Sequence, residues 1–352
     1  YGAVGNSAID PYQTIAGLSK YDYLFGEDAS NKFFAYRPSM IPNKDLGWEI
    51  SRTANFGVDF GLWNNRISGY IEGYITKTSD LLMERTLPFF TGFSKVWQNI
   101  GKTENKGIEL NIQANTLKTK SFSWETTVTF ARNWNKITEL LGGGDIRNNS
   151  WFIGKPLQVH YNYEMIGVWQ LGEEKEAQKY GAIPGDIKVK DQNNDGSIGE
   201  LDKVILGQKD PKIIASLLNS FRFGAFDASI NLNMNFGSLI HPNTYASLIT
   251  RDGLRWMPSN FKYWTPDNPT NEYTRADKLS GYDPFAGTGG YMKGDYSKIM
   301  PKNWKILRAR LYAQVRNLGY IYKACKNDVS PEAPDFDYNI PTTYTMGINI
   351  DF

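Results

Sequence analysis

The residues best suited to chemistry form one loop in which oxygen-bearing side chains recur at every second position. Asp191, Asn193 and Asp195 hold the first three alternate positions, and Asp202 closes a stretch of twelve residues. Ser197 offers a backbone carbonyl between them. Carboxylate, amide and carbonyl oxygens at this spacing are the ligands of a calcium loop. The sequence therefore predicts a structural Ca²⁺ site formed by Asp191, Asn193, Asp195, Ser197 and Asp202.

A second interpretation of this loop stays open. Its last position carries aspartate, which is one methylene shorter than the glutamate that usually binds calcium with both oxygens. No helix pair is predicted on its flanks, because Pro184-Gly185 precedes the loop and Leu206-Gly207 follows it. The alternative to a calcium site is a polar turn, closed by its own Asp and Asn side chains, that holds no ion.

Other kinds of catalytic site find little support in the residue types. His160 and His241 are the only histidines, which argues against a histidine-based metal or acid–base centre. Cys325 is the only cysteine, so no intrachain disulfide can form. Gly154-Lys155 is followed by proline where a phosphate-binding loop needs serine or threonine. We therefore expect a protein that is not an enzyme.

Several tryptophans lie in the long stretches between strand-like segments. Their rings could stack on the apolar faces of sugars, since Trp combines a large apolar surface with a polar N–H. Packing within a loop, or a position in an interfacial aromatic girdle, explains each of them equally well. The candidates for substrate binding are Trp97, Trp151, Trp169, Trp256 and Trp264.

The composition favours a β-rich protein with many turns. Aromatic residues make up 14% of the 352 residues and there are 33 glycines. The net charge of +2 gives no electrostatic bias toward nucleic acid. No run approaches the ~18 apolar residues of a membrane helix. No signal peptide is recognisable, and we expect Tyr1 to correspond to an interior position of a larger protein.

The elements that position these residues are marked by alternation of apolar and polar side chains. The clearest run is Phe226–Phe236, in which every second residue is apolar and the others are Asp, Ser and Asn. Its length matches the ~9–11 residues that cross a bilayer as a tilted strand. Aromatic residues lie near its ends, as in interfacial girdles. Similar alternation marks the ranges 54–62, 67–76, 108–114, 124–130, 310–316 and 344–352.

Short and long connections alternate between these runs. The short ones are at Asn64-Asn65, Leu117–Lys120 and Phe223–Ala225, and the long ones span 81–103, 139–213 and 237–295. Outer-membrane barrels have short periplasmic turns and long extracellular loops. The pattern predicts an all-β fold, a transmembrane antiparallel β-barrel with long extracellular loops. A soluble all-β protein is the alternative.

The parity of crossings constrains the long segment 139–213. If the turns at Asn64-Asn65, near Gly224 and near Pro301 are all periplasmic, this segment holds zero or two crossings, and Gln158–Gln170 is a candidate strand. Only Asp295–Met300 precedes the turn expected at Pro301, so we expect a local deletion or omitted residues there.

The last run, Thr342–Phe352, alternates to its end and closes on phenylalanine. A terminal Phe in such a strand resembles the signal that barrel-assembly machinery reads. An ordinary edge strand that happens to end in Phe is the alternative.

Longer motifs resemble the SusC/RagA family of TonB-dependent outer-membrane transporters. The matching stretches lie along nearly the whole chain. They are Tyr1–Asn6, Trp48-Glu49, Asn99–Leu110, Gly167–Gln170, Pro184–Lys188, Tyr263–Pro269, Gln314–Leu318 and Pro341–Gly347.

The resemblance implies the fold and the partners. It implies a 22-stranded barrel of which this chain, residues 1–352, supplies the C-terminal portion of about 10–12 strands, with the N-terminal plug absent from this chain. It implies energy from TonB–ExbB–ExbD, a SusD-like surface lipoprotein and a location in the outer membrane.

The resemblance also implies import of a nutrient, most often an oligosaccharide. A peptide importer of the same family, a passive porin and a surface-binding barrel are the alternatives. Polar wall residues that would line the route are Asn231, Asn233, Arg310 and Tyr312.

Overall fold

The computed structural model describes residues 1–6, 15, 17–25, 31–39, 41–224, 226–242, 262–275, 288–306, 310–316, 319–325, 331–332 and 342–349. Almost all regular structure in these residues is β-strand. In chain order the strands are β1 (Gly2–Asn6), β2 (Leu18–Phe25), β3 (Asn31–Pro38), β4 (Glu49–Leu62), β5 (Ile67–Ser79), β6 (Leu82–Thr86), β7 (Lys95–Asn99), β8 (Gly101–Lys118), β9 (Phe122–Leu140), β10 (Val159–Tyr163), β11 (Met165–Val168), β12 (Ile187–Val189), β13 (Lys203–Gln208), β14 (Ile213–Phe223), β15 (Phe226–Phe236), β16 (Leu239–Ile240), β17 (Met292–Lys293), β18 (Tyr296–Ile306), β19 (Arg310–Arg316), β20 (Gly319–Lys323) and β21 (Thr343–Asn349).

In the part of the chain that the structure describes, one short α-helix, α1 (Glu174–Lys179), interrupts the strands, and single 3₁₀ turns span Phe89–Thr91, Arg147–Asn149 and Glu200–Asp202. Within the described residues, no helix has the length and apolar character needed to cross a membrane.

A single large sheet contains the long strands. Its hydrogen-bonded order is β1-β4-β5-β8-β9-β14-β15-β18-β19-β21, and β20 also pairs with β18. Strand β9 pairs directly with β14, from Phe122↔Phe223 to Arg132↔Ile213. Residues 141–212 therefore contribute no strand to this sheet. The segment holds zero crossings, which is one of the two numbers expected from the sequence. The candidate strand Gln158–Gln170 instead forms two small ladders outside the sheet, β10 with β13 and β11 with β12.

Short turns join the strands where the sequence predicts them. Trp63, Asn64 and Asn65 adopt positive φ values of 51°, 57° and 59° between β4 and β5. Asparagine tolerates this left-handed conformation better than most residues. Gly224 has φ +55° between β14 and β15, where a residue with a Cβ would be strained. Two of the three short connections predicted from the sequence, at Asn64-Asn65 and near Gly224, are thereby confirmed, and the third lies between the end of β8 at Lys118 and the start of β9 at Phe122.

The turn predicted near Pro301 is wrong. Strand β18 continues through this residue for a length of 11 residues. Pro301 lies opposite Ile230, next to a register shift between Ser229 and Ile230. Proline has no N–H for the ladder, and a bulge is one of the places in a sheet that tolerates it. The strand is long enough to cross a bilayer, so the expected deletion before Pro301 is not needed.

The fold consists of two compact units, and each has its own apolar interior. The first comprises Tyr1–Val58, Glu72–Ile108 and Asn133–Leu157, and the second Asp59–Ile71, Glu109–Arg132 and Gln158–Phe352. Buried residues of the first unit are Val96, Ile100, Ile137, Leu140 and Phe152. Buried residues of the second are Val159, Val168, Trp169, Ala177, Ile187, Val189 and Trp264.

Many apolar strand residues, by contrast, are exposed. Phe56 is 76% exposed, Phe223 62% and Phe226 56%. In a water-soluble sandwich these side chains would form the core. Their exposure is what a strand face in contact with lipid requires.

The last strand in the described residues, β21, pairs with β19 from Arg316↔Thr343 to Arg310↔Asn349. The expectation about Phe352 falls on residues 350–352, which lie outside the described ones.

Candidate functional site

The register of β9, β14 and β15 separates two chemically different faces. Val128, Leu217 and Leu232 lie side by side across the three strands. Directly opposed residues share a face, and successive residues alternate between faces. The apolar residues therefore form continuous rows on one side, here called the outer face.

Aromatic residues gather on the outer face beside the short turns. The rings of Trp124 and Phe221 are stacked with centroids 5.7 Å apart, and those of Phe122 and Phe221 are 6.5 Å apart. The one amide in these rows, Asn219, accepts hydrogen bonds from Trp124 Nε1 at 3.0 Å and Thr126 Oγ1 at 2.8 Å. A polar group that faces lipid needs such internal partners.

The inner face carries neutral hydroxyl and amide groups. Thr129, Ser216 and Asn233 lie side by side, and the hydroxyls of Thr129 and Ser216 share a hydrogen bond of 2.6 Å. The buried Oδ1 of Asn231 has no hydrogen-bond partner among the described residues. These two asparagines occupy the wall positions that the sequence predicted. The side chains of Arg310 and Tyr312 are not among those described.

Charge on the inner face of β9, β14 and β15 is found at its turn end and at Glu125. On the adjoining β18, Lys298 lies opposite Asn233, and its Nζ is 2.8 Å from Glu332 Oε2, so that these two charges compensate each other. The turn end holds an ion pair. There Arg222 Nε lies 2.9 Å from Asp227 Oδ1, so that the two charges compensate each other. The rows above this pair offer donors and acceptors without net charge, apart from Glu125.

The loop predicted to bind calcium is closed by its own carboxylates. Asp191 accepts hydrogen bonds from the backbone N–H groups of Asn194 at 2.6 Å and Gly196 at 2.9 Å. Asp195 accepts from the Ser197 N–H and hydroxyl, both at 2.8 Å. The hydrogen bonds from Ser197 lower the pKa of the Asp195 carboxyl, which keeps it ionised.

Asp202 holds the two ends of the loop together. Its Oδ1 accepts from the Gln192 N–H at 2.8 Å, and its Oδ2 from the Gly199 N–H at 2.7 Å. The residue is only 1% exposed, whereas Asn193 and Asp195 are exposed and Asp191 is half-buried. The exposed oxygens are the donor type that a hard cation takes. No group of three or more His, Cys, Asp or Glu converges around a common point within the described part of the chain.

Two of the candidate tryptophans are buried and lie close together. Trp264 is 6% exposed, and its Nε1 donates to the side-chain oxygen of Gln170 at 2.8 Å. Trp169, the neighbour of Gln170 in sequence, is 5% exposed and stacks on Tyr180 with ring centroids 6.0 Å apart. Lys188 Nζ lies 4.2 Å from the Trp169 ring centroid. Both indoles thus pack inside the second unit.

Trp97 and Trp151 belong to the first unit, and both are half-buried. The Trp97 carbonyl accepts a hydrogen bond from the Asn43 side chain at 2.9 Å. Trp151 forms an isolated bridge with Ile146. Trp256 lies outside the described residues. Of the four candidate tryptophans that the structure describes, it brings together Trp169 and Trp264 only.

A set of contacts that the sequence analysis missed fastens residues 263–275 to residues 167–186, and we name it the clasp. Gln170 Nε2 donates to the Thr270 carbonyl at 3.1 Å and to Asn271 Oδ1 at 3.2 Å. Arg275 Nε lies 2.9 Å from Asp186 Oδ1, and the Arg275 N–H donates to the Gly185 carbonyl at 2.8 Å. Both segments contain motifs that the sequence analysis quoted, but no local sequence pattern in either segment predicts that they are in contact.

Close packing in the clasp depends on a glycine. Gly185 has φ +92°, and a Cβ there would lie 2.5 Å from Trp264 Cε3 and 2.7 Å from Arg275 Cβ. Neither the backbone angle nor the space admits a larger residue.

Comparison with known proteins identifies the family of the chain. The family model described as TonB dependent receptor-like, beta-barrel matches residues 19–318. TonB-dependent receptor P26 of Formosa agariphila is 30% identical over 398 residues, which cover all of this chain and 39% of that protein. TonB-dependent receptor SusC of Bacteroides thetaiotaomicron is 27% identical and covers 94% of this chain and 34% of that protein. The chain thus spans less than half the length of these relatives.

Solved structures agree on the fold. The structure of the RagAB peptide transporter superposes with a TM-score of 0.72 at 23% identity, covering 94% of this chain and 37% of that one. The predicted family resemblance and the all-β barrel fold are confirmed by these matches. The chain belongs to the TonB dependent receptor-like β-barrel family, whose members lie in the outer membrane and cross it with strands.

Proposed function

We propose that this chain forms part of the wall and outer loops of a transporter that imports an oligosaccharide across the outer membrane. The complete protein works with a SusD-like surface lipoprotein. Its remaining part contains the plug and is energised by TonB–ExbB–ExbD. The chain takes part in no chemical step and does not act as an enzyme.

The observation that carries the substrate class is the chemistry of the inner face. Ser216, Asn231 and Asn233 face the same side, opposite the apolar rows. A sugar hydroxyl both donates and accepts hydrogen bonds, and amides and hydroxyls meet both needs without a charge to desolvate. A wall of this kind favours a neutral, hydroxyl-rich cargo over an anionic or cationic one.

Names of relatives support the energy source and the partner. Four curated relatives match, and those described above are TonB-dependent receptors. One of them is named SusC, and the similar solved structure is titled the RagAB peptide transporter. We carry both features over to the complete protein as part of the proposal.

A peptide is the second candidate cargo, because the RagAB structure is titled a peptide transporter. Peptide amides also donate and accept hydrogen bonds, so the inner face alone does not exclude them. A passive porin and a surface-binding barrel differ from both importers in needing no TonB.

Uptake by cells tests the proposal directly. Cells expressing the complete transporter should accumulate a labelled oligosaccharide only while TonB is present. Asn231→Ala with Asn233→Ala should reduce this uptake, and Ile230→Val with Leu232→Met on the outer face should not. Accumulation of labelled peptides but not of the oligosaccharide would show that the cargo is a peptide. Uptake without TonB would contradict active import.

For the acidic loop we propose a structural Ca²⁺ site at its exposed side. Asp191, Asn193, Asp195 and the Ser197 carbonyl supply oxygens of the right kind. Asp202 closes the loop from the buried side through its two backbone hydrogen bonds. A bound cation would stiffen this surface loop.

A further inference from the structure

Three lysines surround one glutamate in the first unit. Lys106 Nζ lies 3.1 Å and Lys136 Nζ 3.3 Å from Glu104 Oε1, and Lys77 Nζ lies 4.0 Å from Glu104 Oε2. Each lysine side chain is at least 48% exposed, whereas that of Glu104 is 13% exposed. Three positive charges meet one negative charge, so two are not compensated. We call these four residues the lysine cluster.

The cluster lies on the same side of its strands as exposed apolar residues. Lys77 follows Ile75 by two residues, Lys106 precedes Ile108 by two, and Lys136 follows Trp134 by two. Residues two apart in a strand share a face. Ile75, Ile108 and Trp134 are all between 44% and 47% exposed. The cluster therefore adjoins an exposed apolar surface on three neighbouring strands.

Residues between these positions belong to the opposite side. Tyr74 and Asn133 directly precede Ile75 and Trp134, and their side chains meet with Tyr74 Oη 3.4 Å from Asn133 Oδ1. Ile137, next to Lys136, is 1% exposed and its backbone bonds to the loop at Gly154 and Lys155. The polar contact and the buried residue mark the interior side, so the lysines point away from it.

The cluster also lies at the end of the strands that faces outside the cell. Lys77 and Lys136 come shortly before β5 and β9 end at Ser79 and Leu140, and Lys106 comes shortly after β8 begins at Gly101. These ends lead into the long connections, which are extracellular in outer-membrane barrels. An exposed tryptophan beside them fits the level of the lipid headgroups.

We propose that the lysine cluster binds the phosphate groups of lipopolysaccharide, the phosphorylated glycolipid of the outer leaflet. Lysine ammonium groups are strong donors to phosphate oxygens. Glu104 holds the three side chains together before the lipid arrives, which reduces the ordering cost of binding. The acyl chains of the same molecule then lie against Ile75 and Ile108.

The adjoining apolar row decides between kinds of anion. A soluble phosphate would leave the exposed apolar surface of Ile75 and Ile108 uncovered, and an acidic protein would have to displace lipid from it. A lipid with a phosphorylated headgroup satisfies the charged and the apolar surface together.

Native mass spectrometry of the complete transporter, purified with its bound lipid, tests this proposal. The triple variant K77Q/K106Q/K136Q should hold lipopolysaccharide about fivefold more weakly for each lysine removed. The matched control K95Q/K179Q/K190Q removes three exposed lysines that are each paired with a glutamate elsewhere. It should retain the lipid as the unmodified protein does.

A second variant keeps the test independent of folding. E104Q removes the negative charge that competes with the phosphates but keeps an acceptor oxygen for the lysines, so it should retain the lipid at least as tightly as the unmodified protein. Dephosphorylated lipopolysaccharide should bind the unmodified protein no more tightly than intact lipopolysaccharide binds the triple variant. Equal lipid retention in the triple variant and its control would overturn the proposal. So would complete displacement by inorganic phosphate, which would identify a site for the free anion.

Discussion

The indole of Trp264 donates a hydrogen bond to the side-chain oxygen of Gln170, a residue 94 positions away in the sequence, at 2.8 Å. This bond belongs to the clasp and joins residues 167–186 to residues 263–275. Removing the donor while keeping a ring should therefore loosen both segments.

Trp264→Phe tests this link. The variant leaves a half-buried acceptor on Gln170 without its indole donor, and we expect local stability to fall by about 1 kcal/mol. Hydrogen exchange of residues 167–186 and 263–275 should accelerate together. Trp151→Phe, at a half-buried position in the other unit, serves as control, and unchanged exchange in the Trp264 variant would contradict the role of the bond.

Gly185→Ala should disrupt the clasp by a steric route. The new Cβ meets Trp264 and Arg275 in addition to the left-handed backbone. Gly181→Ala is the matched control, since Gly181 has φ +67° and nothing within 4 Å. Both changes carry a backbone cost of about 1–2 kcal/mol, and thermal unfolding should show a larger loss for Gly185. Equal losses would mean that the clasp tolerates the methyl group.

Calcium binding should depend on the carboxylates of Asp191 and Asp195 in the acidic loop. Asp191→Asn with Asp195→Asn removes two charges, and calorimetric titration with CaCl₂ should lose its binding signal. Glu176→Gln with Glu200→Gln, which also removes two exposed charges, should leave the signal intact.

Asp202→Asn separates closure of the loop from binding of the ion. It leaves one backbone N–H of Gln192 or Gly199 without an acceptor, so stability should fall even in the presence of a chelator. Undiminished binding in the Asp191 and Asp195 double variant would refute the site.

Protonation of His160 should weaken the anchoring of β16. Burial lowers the pKa of His160 below its ordinary 6.5, because the charged imidazolium is poorly solvated there. Its Nε2 lies 3.0 Å from the Leu239 carbonyl, a contact that favours the charged ring but is outweighed by burial, and its ring meets Tyr291 edge-on. The stabilising contribution is complete above pH 6.5 and is lost as the pH falls below that value through the lowered pKa.

Hydrogen exchange of residues 239–242 should therefore accelerate between about pH 7.5 and about pH 5.5, after correction for the intrinsic rate. His160→Gln keeps a donor for Leu239 and does not titrate, so its exchange should change less. The same pH response in both proteins would assign the effect to another group.

The assignment of faces predicts opposite outcomes at adjacent residues. Leu217→Lys places a charge on the outer face, and we expect a cost of about 2–4 kcal/mol near the middle of the bilayer. Ser216→Lys points to the inner face and should cost little. Reversible folding into lipid vesicles measures the stability of both variants. A larger loss for the Ser216 variant would mean that the outer and inner faces are assigned the wrong way round.

The strands and hairpins were predictable because their signals are local. Alternation places Val128 and Leu232 each on the apolar face of its own strand, and Asn64-Asn65 turns the chain by its own conformational preference. Leu217 lies in a run whose alternation is weaker, and its pairing with both neighbours sets its face. Pro301 was misread as a turn because proline usually ends a strand. Its tolerance here depends on the register shift opposite Ile230, which only the neighbouring strand supplies.

Contacts between distant loops were not predictable in the same way. Trp264 and Trp169 were candidates for ligand binding on the strength of residue type. Their burial depends on Gln170, Asp186 and Arg275, which the chain brings together over about 90 residues. The lysine cluster likewise exists only because three strands lie side by side.

The direct pairing of β9 with β14 has a consequence for how such proteins can diversify. Residues 141–212 leave the sheet and return to it without taking a place in the ladder, so their length and sequence impose nothing on the register of the wall. Grafting a different segment between these two strands would alter the surface presented to the surroundings while the membrane-embedded frame stays the same.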